Sequence, residues 1–120
     1  MKILVCEDDL IILKMLELKL SREEYDVHIA HDGREAKELL NKNEYELILT
    51  DIMMPFIGGT ELVNYIRTEL KSDVPIIVLS GLHDEDTILK AFDLGIDDYI
   101  IKPFSPNELS IRMKRVIRRK

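Results

Sequence analysis

Four short apolar runs, each ending on a polar residue, restrict this chain more than any other feature. Lys2-Ile3-Leu4-Val5-Cys6 stops at Glu7, and the run from Glu46 through Leu47-Ile48-Leu49-Thr50 stops at Asp51. Pro75-Ile76-Ile77-Val78-Leu79 stops at Ser80-Gly81, and Asp98-Tyr99-Ile100-Ile101 stops at Lys102-Pro103. Continuous apolar runs of this length, bounded by turn residues, suit strands buried on both faces of a parallel sheet. The stretch from Tyr25 to Ala30 differs. It alternates Val27 and Ile29 with Asp26 and His28, the pattern of a half-exposed edge strand.

Segments of helical period separate the strands. Leu13, Leu16 and Leu20 form the first apolar stripe. Ala36, Leu39 and Leu40 form the second, behind a capping-box pattern at Asp32-Gly33-Arg34-Glu35. After a loop from Pro55 to Gly59 come Leu62, Val63, Ile66 and Leu70. Asp84 to Leu94 forms a short helix with Ile88, Ala91 and Phe92 expected inward and Gly95 as its stop. Ser105-Pro106-Asn107-Glu108 opens a last helix whose core stripe is Leu109, Met113, Val116 and Ile117. Five β-α units in strict alternation predict an α/β fold: a five-stranded parallel sheet, doubly wound, with the flavodoxin-like order 2-1-3-4-5. One domain over residues 1–120 is expected, with any output module lying beyond it.

Composition narrows the function classes. Apolar residues make up 46% and charged residues 33%, a globular balance, and no apolar run approaches the roughly 20 residues of a membrane span. Met1-Lys2-Ile3 leads into a strand rather than a signal peptide, and the single cysteine, Cys6, reads as a core residue of a cytoplasmic protein. A net charge of -6 argues against nonspecific nucleic-acid binding by this segment.

In the expected strand order, Glu7, Asp8, Asp51, Ser80 and Lys102 converge on one cleft at the carboxyl ends of the strands. Three carboxylates together repel; two unit charges at about 4 Å cost roughly 4 kcal/mol at an effective dielectric near 20. One lysine cannot neutralise three acids, so a divalent cation is expected, and oxygen-only ligands favour Mg²⁺. Mg²⁺, Lys102 and the Ser80 hydroxyl around Asp51 would form a phosphoryl pocket with Asp51 as nucleophile. Taken singly, each residue has an ordinary reading. Asp9 suits a helix N-cap, Glu7 and Asp8 solvated loop acids, Ser80 a turn, Lys102 the surface, and Tyr99 a partly buried strand. His28, His31 and His83 are scattered and carry no role.

These residues resemble the receiver domain of two-component response regulators over essentially the whole chain. The likeness rests on Ile3-Leu4-Val5-Cys6-Glu7-Asp8-Asp9, Leu49-Thr50-Asp51-Ile52-Met53-Met54-Pro55, Gly59, Leu79-Ser80, and Gly95-Ile96-Asp97-Asp98-Tyr99 running into Lys102-Pro103-Phe104. The resemblance implies phosphorylation of Asp51 by a partner histidine kinase or phosphotransfer protein. It implies Mg²⁺ on Asp8, Asp51 and the Met53 carbonyl, with Glu7 completing the acidic pair. Ser80 and Lys102 would contact the phosphoryl group, Tyr99 would act as the aromatic switch, and the Lys102-Pro103 bond would be cis. The output would be a changed surface on the fourth helix, fifth strand and fifth helix, in a switch rather than a metabolic enzyme. Ser80 stands where threonine is commoner, Gly81 where alanine is usual, and Gly58 where an acid is common.

The last helix also resembles that of receivers joined to winged-helix DNA-binding domains, which dimerise through salt bridges on that same surface. Asp97, Asp98, Glu108, Arg112 and Arg119 are candidates for such a homodimer, although Ile88 takes a position usually basic. The basic end Arg115, Arg118, Arg119 and Lys120 equally suits a solvated helix terminus favoured by the helix dipole. Two other functions fit less well. An aspartate-nucleophile phosphatase of the haloacid-dehalogenase type needs an acid where Met53 stands. A flavin- or nucleotide-binding module needs phosphate-cradling amides where Glu7, Asp8 and Asp9 stand.

Overall fold

The computed structural model describes residues 1–119, the side chain of Arg119 excepted, so Lys120 and the Arg119 side chain of the expected basic end lie outside the described residues. Five strands, β1 (Lys2–Cys6), β2 (Asp26–Ala30), β3 (Leu47–Thr50), β4 (Ile76–Ser80) and β5 (Asp98–Ile101), alternate with five helices. These are α1 (Leu10–Arg22), α2 (Gly33–Lys42), α3 (Gly59–Asn64), α4 (Glu85–Asp93) and α5 (Pro106–Arg119). All pairings are parallel in the order β2-β1-β3-β4-β5, as the alternation predicts.

The two-residue period of a strand divides the core in two. Ile3, Val5, Leu47, Leu49, Ile77, Leu79 and Ile100 face α1 and α5, meeting Leu13, Leu16, Leu20, Leu109, Met113 and Val116. Leu4, Cys6, Ile48, Ile76, Val78 and Tyr99 face the opposite way, onto Ala36 of α2, Leu62, Val63 and Ile66 of the third helical segment, and Ala91 of α4. Each fully apolar strand therefore serves both layers. β2 lies at the edge, and Val27, His28 and Ile29 are only half-buried there.

The helix starts follow side-chain chemistry. Asp9 caps α1 by accepting from the amides of Ile11 (2.9 Å) and Ile12 (3.3 Å). Asp32 caps α2 through Arg34 and Glu35, and the Ser105 hydroxyl accepts from the Glu108 amide at 3.0 Å. The reciprocal arms expected of the two capping boxes go elsewhere. Glu35 pairs with His31 at 3.2 Å and Glu108 with Arg112 at 3.3 Å, because each finds a cationic or titratable partner one turn away.

Two further expectations need correction. Phe92 is 42% exposed rather than inward, because α4 is only nine residues long and Ala91 already fills its contact with the sheet. The third helical segment does not run as one regular α-helix: it passes into a π-helical turn at Tyr65–Glu69, where the Leu70 amide bonds back to the Tyr65 carbonyl. That turn presents Arg67, whose guanidinium donates to the carbonyls of Gly95 (3.0 Å), Ser72 (2.9 Å) and Val74 (2.7 Å) and to Asp97 (3.2 Å). Asp97 in turn accepts from the Ile76 amide at 2.8 Å. Arg67 thus ties the third helical segment to the start of β4 and to the α4–β5 link.

Candidate functional site

The parallel ladder runs one residue past the strands, and that step places the site. The Asp51 amide donates to the Cys6 carbonyl (3.0 Å), Glu7 to Ala30 (3.1 Å) and Lys102 to Ser80 (2.8 Å). Glu7, Asp51 and Lys102 therefore leave the sheet at the same height, at its carboxyl edge. The Lys102-Pro103 peptide is cis, as the resemblance implies.

Carboxylate oxygens of Glu7, Asp8 and Asp51 lie within 4.8 Å of one another. Glu7 is almost wholly buried and Asp51 is 8% exposed, while Asp8 faces solvent. Lys102 Nζ bridges two of them, at 2.6 Å from Glu7 Oε1 and 2.9 Å from Asp51 Oδ2. The second Glu7 oxygen accepts from the amides of Asp8 and Asp9, both at 3.2 Å. Burial pushes the Glu7 carboxyl up, against the lowering pull of Lys102. Burial alone would lower Lys102, but its bonds to Glu7 and Asp51 prevail and hold its pKa above the ordinary value.

Three carboxylates and one ammonium leave a formal charge of -2, and the donor set is all oxygen. A hard divalent cation fits such a site, and Mg²⁺ fits its ligand chemistry. Asp9 lies outside the cluster, in its capping role.

The segment from Asp51 to Gly59 folds back tightly beside Asp51. The Met53 amide donates to Asp51 Oδ1 at 3.2 Å, while the Met53 side chain points to solvent. The Gly59 amide returns to the Ile52 carbonyl at 2.7 Å, and a Cβ on Gly59 would lie 2.1 Å from the Asp51 carbonyl oxygen. Only glycine allows that approach. The sequence pattern therefore carried a packing requirement at this position.

Ser80 and Tyr99 meet elsewhere. Ser80 Oγ accepts from the Leu82 amide at 3.1 Å, and the Tyr99 hydroxyl donates to the Leu82 carbonyl at 2.6 Å. Both residues are buried, Tyr99 at 7% exposure. The structure thus brings Glu7, Asp8, Asp51 and Lys102 together and gives Ser80 and Tyr99 a common partner in the β4–α4 loop. Leu82 went unnoticed in the sequence in this role because only its backbone takes part.

Four of the charged residues expected at a dimer surface, Asp97, Asp98, Glu108 and Arg112, are engaged within the chain, and the side chain of the fifth, Arg119, lies outside the described residues. Asp98, 6% exposed, accepts from Arg112 at 3.0 Å and from Arg115 at 3.0 Å. Asp97 is held at Arg67 and the Ile76 amide. Leu89 and Phe92 of α4, Ile101 of β5 and Ile111 of α5 add exposed apolar side chains to these elements.

Comparison with known proteins agrees with this geometry. The response regulator receiver domain family matches residues 3–114. A probable transcriptional regulator, ycf27, of Porphyridium aerugineum is 44% identical over 98% of the chain and 48% of its own length. The transcriptional regulatory protein SrrA of Staphylococcus aureus is 38% identical over the same shares. The chain thus spans about half the length of these curated relatives. Among solved structures, the receiver domain of Francisella response regulator 1452 superposes with a TM-score of 0.92 at 36% identity, covering 98% of this chain and 97% of that one. The Vibrio cholerae chemotaxis protein CheY4 gives 0.89 at 29% identity, covering 96% and 97%. Strand order, family match and relatives converge, and the chain belongs to the response regulator receiver family, the signalling switches of two-component systems.

Proposed function

We propose that this receiver is phosphorylated on Asp51 by a partner histidine kinase or phosphotransfer protein, in the cytoplasm, with Mg²⁺ held by Asp8, Asp51 and the Met53 carbonyl beside Glu7. One observation carries the reading: the Asp51 carboxylate lies within 4.8 Å of two further carboxylates, close enough to share a cation, and 2.9 Å from a lysine held in its charged form. An Asp51 oxygen attacks the phosphorus of a phosphohistidine, the O–P bond forms, the P–N bond breaks, and the imidazole nitrogen takes the departing electron pair. Lys102 keeps its proton and moves its contact from the carboxylate to the new phosphoryl oxygens. Bound Mg²⁺ would offset negative charge on the transferring phosphoryl group. Glu7 holds Lys102 in place through the 2.6 Å bond.

The same geometry supports a conformational output. A turn of Ser80 toward a phosphoryl oxygen would disturb its contact with the Leu82 amide, and Leu82 also carries the Tyr99 hydroxyl. Movement at the pocket is thereby passed to β5 and to the neighbouring surface of α4 and α5, in a two-state shift. Relatives of twice this length that are named transcriptional regulators support a DNA-binding output module.

Mass spectrometry after incubation with acetyl phosphate and Mg²⁺ tests the reading. The mass of one phosphoryl group is expected on the unsubstituted chain and not on Asp51→Asn. Equal labelling of both, or of neither, refutes it.

A further inference from the structure

The loop that follows Asp51 contains a strained residue with an unusual partner. Phe56 has φ of +68°, a region that bulky side chains avoid. The Ile57 amide bonds back to the Pro55 carbonyl at 2.8 Å, which makes Phe56 the centre of a three-residue γ-turn. Phe56 is also 69% exposed, so burial in the core does not hold it. What lies over it is Arg34, whose guanidinium carbon stands 3.5 Å from the ring centroid. The adjacent residue on α2 makes the next contact: a Cβ on Gly33 would meet the Ile57 Cβ and carbonyl oxygen at 2.3 Å. The start of α2 therefore holds two consecutive residues of the loop, one by close packing and one by a cation on an aromatic face.

We propose that Arg34 is a positioning residue for the phosphorylation site, acting through Phe56 to hold the γ-turn and, through it, the backbone at Met53. The metal part of this proposal rests on the Asp51 phosphorylation reading. The loop is closed at its far end by the Gly59 amide on the Ile52 carbonyl, and Met53 is tied to Asp51 at its near end. Between those ties, the turn at Phe56 is held from outside by α2. A phenylalanine at positive φ leaves this conformation unless something opposes it; the Arg34 contact supplies that opposition. Glycine accepts the same φ without strain and needs no such support.

Epistasis between the two positions is the test. Arg34→Ala is expected to weaken Mg²⁺ binding, measured by calorimetry, about two- to fivefold, the factor that an exposed cation–π contact supports. Hydrogen exchange at the Ile57 and Gly59 amides, measured without metal, should quicken by a similar factor. Arg34→Lys should recover part of both effects. The decisive variant is Arg34→Ala combined with Phe56→Gly, which should return affinity and exchange toward those of the unsubstituted chain. Phe56→Ala, which keeps the strain and loses the ring, should resemble Arg34→Ala. Unchanged exchange and affinity in Arg34→Ala would overturn the proposal, as would a double variant no better than Arg34→Ala alone. If the unsubstituted chain binds no Mg²⁺, the phosphorylation reading fails with the metal half of this one. The exchange comparison then still decides whether Arg34 holds the turn.

Discussion

Lys102 shows how much of the site one side chain determines. Among the described residues it is the cation that bridges Glu7 and Asp51, and its pKa is raised because its two carboxylate bonds outweigh the cost of burial. Folding therefore favours its protonated form. The resulting stabilisation is fully present below the unfolded lysine pKa of about 10.4 and is lost as pH rises through the folded value. Lys102→Met should accordingly cost about 2 kcal/mol near neutral pH, since it leaves carboxylates uncompensated. Urea unfolding of both proteins between pH 7 and 11 checks this. The deficit should hold constant to about pH 10 and then shrink; a deficit already shrinking by pH 8 would contradict the assignment. Lys102 was legible in the sequence because it follows a strand and precedes a proline. Arg34 was not, since its importance depends on the φ angle of a residue 22 positions away.

At the scale of elements, strands were more legible than the ends of helices. Apolar runs fix strands because both faces are buried; right-handed crossovers left few topologies, and the flavodoxin-like order favoured among them is the one observed. Cap geometry depends on competition that sequence spacing leaves open. Glu35 and Glu108 stood at the right positions to complete capping boxes, and both found a partner one turn away instead. Phe92 had the helical spacing of a core residue, yet α4 is too short to turn a broad face inward. Arg67 gave no local signal, because its four acceptors come from segments on either side of β4. Removing it leaves the carbonyls of Ser72, Val74 and Gly95 without its donors. Arg67→Ala should therefore cost about 2–4 kcal/mol in urea unfolding. Arg67→Lys should recover little, because one ammonium cannot reproduce the fork. A loss below about 0.5 kcal/mol would show that the guanidinium bonds add nothing net.

At the scale of the molecule, the exposed residues Leu89, Phe92, Ile101 and Ile111 lie around the free edge of the sheet at β5. Exposed apolar side chains beside an open strand edge suit a contact between copies. Asp97 and Asp98 are already held within the chain, so apolar contact rather than those acids would supply the attraction. Beryllofluoride with Mg²⁺, standing in for the phosphoryl group on Asp51, should shift size-exclusion elution from monomer toward dimer, and Ile101→Asp should abolish the shift. Unchanged elution of a chain that mass spectrometry shows to be phosphorylated would rule this surface out as a phosphorylation-dependent interface. The peptide units at Leu82 have a wider consequence. Ser80 grips its amide and Tyr99 its carbonyl, so two inputs share one node. In the terms of a logic circuit, under the proposed switch neither residue would change state silently, because each move would disturb the residue that the other is holding. If the proposed switch operates through this node, it would transmit one bit rather than a graded value.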